Sequence, residues 1–146
     1  MTEPLPGAIE LPDGAWIRGR ALRRPTPPGP VPAYALYLGS PRFQRAHEPE
    51  LPWPHDWLDW PDFRLPRDPG HAIAAIRALH RRALSGEPVE VGCGGGVGRT
   101  GTALACLAVL SGLAPDEAIG FVRARHHPRA VETRGQRRWI DQFPVS

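Results

Sequence analysis

The stretch Val91-Gly92-Cys93-Gly94-Gly95-Gly96-Val97-Gly98-Arg99-Thr100-Gly101 cannot be regular structure throughout: four of the five residues between Cys93 and Arg99 are glycine. Glycine enters φ > 0 without steric cost, so such a backbone can curl and turn several N–H groups inward. The run before it, Pro88-Val89-Glu90-Val91, reads as a short strand. The run after it, TGTALACLAVL, is small and apolar on most sides and reads as a buried helix from Arg99 to about Ser111. Strand, glycine loop and helix in that order set the positive end of a helix beside the loop, which makes an anion cradle. Arg99 falls six residues after Cys93, so the loop can return guanidinium and sulfur to one centre. A planar fork of donors suits two oxygens of a phosphate, and the same positive end favours the thiolate of a cysteine placed in it.

Working outward, Asp68-Pro69 is an N-cap and N1 pair, and Ile73, Ile76, Leu79, Ala83 and Leu84 follow at helical spacing up to Ser85-Gly86. Gly112 stops the buried helix. Pro115-Asp116-Glu117 opens another, and a last amphipathic stretch runs from about Thr133 to Phe143. Ahead of these, Ala15 to Ile17 and Tyr34 to Leu38 suit short strands, separated by the run PTPPGPVP from Pro25 to Pro32. A second group of prolines, Pro49 to Pro69, predicts loop. The expected fold is α/β, a short central sheet flanked by helices. The chain's 146 residues suffice for one core, so a single domain is expected, with residues 1–35 as a Pro-rich extension holding a short strand and residues 36–143 as the core.

Two nucleotide-binding readings fail on the residues. A nucleotide P-loop needs glycine where Cys93 stands and lysine where Arg99 stands. Gly96-x-Gly98-x-x-Gly101 fits a dinucleotide fingerprint, but the acidic pair Asp116-Glu117 follows Pro115 at a helix start and not a second strand, and too little chain remains for a doubly wound sheet. The net charge of +3 rests on eighteen basic residues, all Arg and scattered, without the dense stripe that nucleic acid requires. The Arg- and Ala-rich usage suggests a GC-rich bacterial genome. The longest apolar stretch, Thr102 to Leu113, is about half of the roughly 20 residues needed to cross a bilayer. The first residues show neither the basic start nor the apolar run of an export signal. A cytoplasmic monomer with no membrane partner is expected, its cysteines reduced. Cys106, amid Ala and Leu of the helix, reads as core. The histidines offer no metal spacing, and the pairs Arg23-Arg24, Arg81-Arg82 and Arg137-Arg138 read as solvated surface.

The loop resembles that of the protein tyrosine phosphatase superfamily: cysteine, five residues, arginine, then serine or threonine. A second motif supports the resemblance. Trp60-Pro61-Asp62-Phe63 is similar to the family's mobile acid loop, and it precedes the cysteine by about 30 residues with a helix and a strand between. The compact size resembles the dual-specificity branch. The resemblance covers about Leu36 to Phe143 and implies that Cys93 is the nucleophile, that Arg99 and the N–H groups of Gly94, Gly95, Gly96, Val97, Gly98 and Arg99 hold the phosphate, and that Asp62 is the general acid and base. It implies that Thr100 hydrogen-bonds the sulfur and that Gln136 positions the hydrolytic water. No metal or other cofactor is implied. The substrates implied are phosphoproteins carrying phosphotyrosine, phosphoserine or phosphothreonine, or small phosphate esters, with inorganic phosphate and vanadate as ligands of the site.

The chain departs from the family in having Gly92 where a histidine usually precedes the cysteine, and in carrying no extra basic residue within the loop, which argues against polyanionic esters. Gly92 motivates an alternative, a protein that binds phosphate or phosphopeptide without turning it over. A sulfurtransferase, which also cradles an anion above a cysteine, is a third reading against which Trp60-Pro61-Asp62 speaks.

Overall fold

In the computed structural model, which describes residues 3–145, the strand that leads into the glycine loop is the middle of the sheet. The strands β1 (Ile9–Glu10), β2 (Trp16–Ala21), β3 (Tyr34–Gly39), β4 (His55–Asp59) and β5 (Val89–Cys93) lie in the order β1-β2-β5-β3-β4. β1 is antiparallel to β2, and the other pairs are parallel. Parallel neighbours need long crossovers, which here carry helices. The helices are α1 (Pro41–His47), α2 (Pro69–Leu84), α3 (Gly98–Leu110), α4 (Pro115–Arg125) and α5 (Arg134–Asp141). None is long and apolar enough to cross a membrane among the described residues.

Strand residues alternate between faces, and β3 shows where each face goes. Tyr34, Leu36 and Leu38 enter the main core with Ile76 and Leu79 of α2 and Leu104 and Leu107 of α3. Ala35 and Tyr37 enter a smaller cluster with Leu22, Leu51 and Trp53, closed by Phe43 of α1 and Trp57. α3 touches β5, α2, α4 and α5, so its residues from Gly98 to Val109 are all buried. That enclosure explains why its sequence is apolar on most sides.

The helix starts follow local chemistry. The Asp68 carboxylate accepts the His71 N–H (3.1 Å) ahead of Pro69. The Glu117 carboxylate accepts the Ala114 N–H (3.1 Å) before α4. Thr133 and Gln136 form a reciprocal cap at α5.

The architecture expected from the sequence is present, and β1, a longer β2, α1 and β4 extend it. β2 runs past Ile17 because Arg18 and Arg20, which break the apolar pattern, are buried on the second face against Glu90 of β5. Arg18 Nη2 lies 2.7 Å from Glu90, Arg20 Nη1 lies 3.4 Å from it, and the Tyr37 hydroxyl donates to it at 2.5 Å. Residues before 36 supply β1, β2 and the start of β3 at Tyr34, more than the single short strand expected there. α1 falls in a stretch given no element by the sequence, and β4 within the Pro49 to Pro69 stretch read as loop. β4, His55-Asp56-Trp57-Leu58-Asp59, is an edge strand whose polar residues hide its character, and Pro54 and Pro61 stand outside its ladder.

Candidate active site

Cys93 is the last residue of β5, and the glycine loop returns the chain into α3. The end of β2 steadies this turn: the Leu22 N–H donates to the Cys93 carbonyl (2.8 Å) and the Arg23 N–H to that of Gly94 (3.1 Å). Gly96 has φ of 71°, and a Cβ there would lie 2.8 Å from the Ala21 nitrogen, so glycine is required on both counts. The bond from the Gly101 N–H to the Val97 carbonyl (2.8 Å) closes the first turn of α3 and leaves its opening N–H groups without helical partners.

A cavity of about 160 Å³ opens over this turn, lined by Cys93, Gly95, Val97, Gly98 and Arg99 from below and by Arg23, Asp62, Phe63 and Glu132 around the rim. Larger depressions exist elsewhere, but this one brings together Cys93, Arg99 and Asp62, which the sequence singles out. Cys93 is buried, and Thr100 donates its hydroxyl to the sulfur at 3.0 Å. Arg99, also buried, anchors Nη1 on the carbonyls of Leu38 (3.3 Å) and Trp60 (2.9 Å). This leaves Nε without a partner and Nη2 3.5 Å from the Asp62 carboxylate; Nε and Nη2 form the edge of a guanidinium that grips two oxygens.

The turn Trp60-Pro61-Asp62-Phe63 is pinned at its base and exposed at its tip. Trp60 is fully buried against Trp139 (ring centroids 5.4 Å apart), and its indole donates to the Arg64 carbonyl (2.7 Å). Asp62 is exposed, its Oδ1 accepting the Phe63 N–H (3.0 Å). Phe63 stands at the rim, 59% exposed and in the left-handed region at φ of 60°. Trp53 and Trp57 belong to the opposite face of the sheet, where their indoles donate to the Tyr37 hydroxyl and Glu48.

Glu132 was not visible as a site residue in the sequence. Its carboxylate sits against the first residue of α3, so close that a Cβ on Gly98 would collide with it. The backbone that delivers it is strained: Val131, a β-branched residue, has φ of 66°. Arg123 holds this turn, its Nε and Nη2 donating to the carbonyls of Ala130 (2.8 Å) and Val131 (3.0 Å). Gln136, buried, accepts the N–H groups of Glu132 (2.8 Å) and Thr133 (3.3 Å) and stands behind Glu132 rather than in the cavity lining. Partial burial and the Asp62 carboxylate hold the Glu132 carboxyl above its ordinary range, against the opposing pull of Arg99, His127 and Arg129. Arg23, read as surface, lines the cavity over Gly94 with its guanidinium 5.3 Å from the Phe43 ring. No signal in the sequence marks it, because its segment reaches the loop only through the pairing of β2 with β5. Cys106 is buried in the core, and burial raises its thiol pKa.

Residues 61–142 match the family model of the Swiss Army Knife protein, DSP-PTPase phosphatase domain (PTP-SAK). The chain belongs to this family. Over 62 residues the domain is 40% identical to protein tyrosine phosphatase domain-containing protein 1 of Danio rerio and 42% identical to that of Mus musculus; the matched stretch is 42% of this chain but only 9% and 8% of those proteins. Among solved structures it superposes on Tk-PTP in the active form with a TM-score of 0.68 at 22% identity, covering 94% of this chain and 96% of that one. Kinase associated phosphatase with its catalytic-site cysteine replaced by serine gives a TM-score of 0.64 at 16% identity, covering 75% and 67%. PTPMT1 in complex with PI(5)P gives 0.55 at 17%, covering 75% and 74%. These DSP-PTPase-like structures share the domain's fold.

Proposed function

We propose that this DSP-PTPase domain hydrolyses phosphate monoesters by double displacement through a phosphocysteine. The observation that carries the reading is that Cys93, Arg99 and Asp62 line one small cavity at the mouth of α3.

The Cys93 thiolate attacks phosphorus, and the ester P–O bond breaks as Asp62 gives its proton to the leaving oxygen. Arg99 and the inward N–H groups of Gly94 to Arg99 hold the three equatorial oxygens, where charge spreads in the transition state. Water then attacks phosphorus, the Asp62 carboxylate takes its proton, and the P–S bond breaks. Thr100 stabilises the departing thiolate through its hydrogen bond to sulfur. Phosphate leaves and both groups return to their starting states.

The small cavity with an exposed Phe63 on its rim is compatible with an ester of either an aryl or a short alkyl hydroxyl, so phosphotyrosine, phosphoserine or phosphothreonine in proteins are the substrates proposed, with small esters as surrogates. The test is hydrolysis of para-nitrophenyl phosphate with chelator present, inhibited by vanadate and lost in Cys93→Ser. Binding of phosphate without turnover in the native protein would reject this reading and leave a phosphate-binding domain.

A further inference from the structure

We infer that His126 is a positioning residue of the phosphate loop, aiming one of the N–H groups that hold the phosphoryl oxygens. The inference rests on the cavity being the phosphate site. His126 caps the end of α4, and its Nε2 lies 2.7 Å from the Gly96 carbonyl. A carbonyl only accepts, so Nε2 carries the proton and donates.

The consequence follows from the planarity of the peptide. In a trans peptide the C=O and the next N–H point in opposite directions. Drawing the Gly96 oxygen outward to His126 turns the Val97 N–H inward, and Val97 lines the catalytic cavity. Without this bond nothing on the Gly96 side fixes the rotation of the Gly96–Val97 peptide, because a residue with no Cβ leaves its own ψ weakly restricted.

The imidazole is built in rather than resting on the surface. It packs over Gly19 of β2, where a Cβ would lie 2.6 Å from its Cε1, and beside Leu104 of α3. Gly96 also lies against Ala21 at the end of β2, where an added Cβ would come within 2.8 Å of the Ala21 nitrogen. The loop tip is therefore held between the end of β2 and the end of α4. Burial and the neighbouring His127 lower the pKa of His126, so at neutral pH it holds one proton, and the bond to Gly96 keeps it on Nε2. This supplies an organising hydrogen bond to a loop whose residue before the cysteine, Gly92, has no side chain to give one.

The experiment compares native protein with His126→Gln, which retains a donor of similar reach, and His126→Met, which has similar length and none. Three quantities are read: affinity for orthovanadate, kcat/KM on para-nitrophenyl phosphate, and Tm. Loss of one well-aimed hydrogen bond predicts that Met weakens vanadate binding and kcat/KM by about tenfold at nearly native Tm, and that Gln stays within about twofold of native. Native affinity in the Met variant overturns the inference. So does a loss that follows Tm and is equal in Gln. If the Met variant does not fold, the Gln variant decides: native affinity supports the inference and a tenfold loss rejects it. A native protein that binds vanadate but turns nothing over rejects the phosphatase reading while the affinity comparison still decides His126; one that binds no vanadate removes both.

Discussion

Thr100, in the first turn of α3, donates its hydroxyl at 3.0 Å to Cys93 Sγ at the end of β5, and both residues are buried. The bond stabilises negative charge on sulfur. In the proposed reaction it would therefore hinder attack slightly and assist departure of the thiolate from phosphorus. Thr100→Val keeps the shape and removes the donor. The expected outcome is a fall in kcat of about tenfold with KM lowered, because hydrolysis of the phosphocysteine becomes limiting. Rapid mixing should then show a burst of nitrophenol equal to the enzyme concentration, and a variant without a burst would refute this role.

Asp62 reaches the cavity from a tip that only its own turn and the 3.5 Å approach to Arg99 hold in place. A residue of this kind matters in proportion to the proton that its substrate needs. Asp62→Asn should cost about 10²–10⁴-fold in kcat on a phenyl or alkyl phosphate. On an ester of a strongly acidic phenol the loss should shrink to about tenfold, since that leaving oxygen departs unprotonated. A loss equal across leaving groups would show that Asp62 only shapes the loop.

The two motifs read from sequence fall on one cavity because both are local: Cys93 to Thr100 is a single turn, and Trp60 to Phe63 is another. What stayed hidden is long-range. Arg23 arrives through the pairing of Ala21 with Cys93, and Arg18 and Arg20 are buried because Glu90 waits across the sheet, a fact that hydropathy cannot carry. Glu132 stands just ahead of the last amphipathic stretch, where nothing local marks a carboxylate as facing a cavity. Only the left-handed Val131, held by Arg123, turns it into the cavity. β4 was missed for the opposite reason, since its flanking prolines spoke louder than its five residues.

Glu132 places a second negative group beside the anion site, and burial and Asp62 raise its pKa. A raised carboxyl is one whose ionised form the fold disfavours, so the penalty is absent at pH below the ordinary carboxylate range and present in full above the raised value. Glu132→Gln should accordingly raise Tm at pH 7.5 and leave it unchanged near pH 3.5. Its outer edge is exposed and screened, so the gain in vanadate affinity at pH 7.5 should be modest, about threefold, and should fade in high salt. Affinity that falls on substitution would mean that Glu132 binds the ligand through its own proton.

Gly92 departs from the family pattern, and the structure gives the reason. A Cβ at this position would lie 3.0 Å from the Arg20 carbonyl and 3.3 Å from the Tyr37 ring. Tyr37 cannot yield, since it is fully buried, donates to Glu90 at 2.5 Å and accepts the Trp53 indole at 2.7 Å. The ring thus fills the room that a side chain at position 92 would need. Gly92→His should therefore overpack the second face of the sheet and cost about 1–3 kcal/mol, read as a fall in Tm of roughly 2–4 °C for each kcal/mol. It should not raise kcat, because the imidazole has no space to reach the loop backbone. A variant with native Tm and higher kcat would show that Tyr37 moves aside, and that the loop lacked a hydrogen bond which its own fold was able to accept.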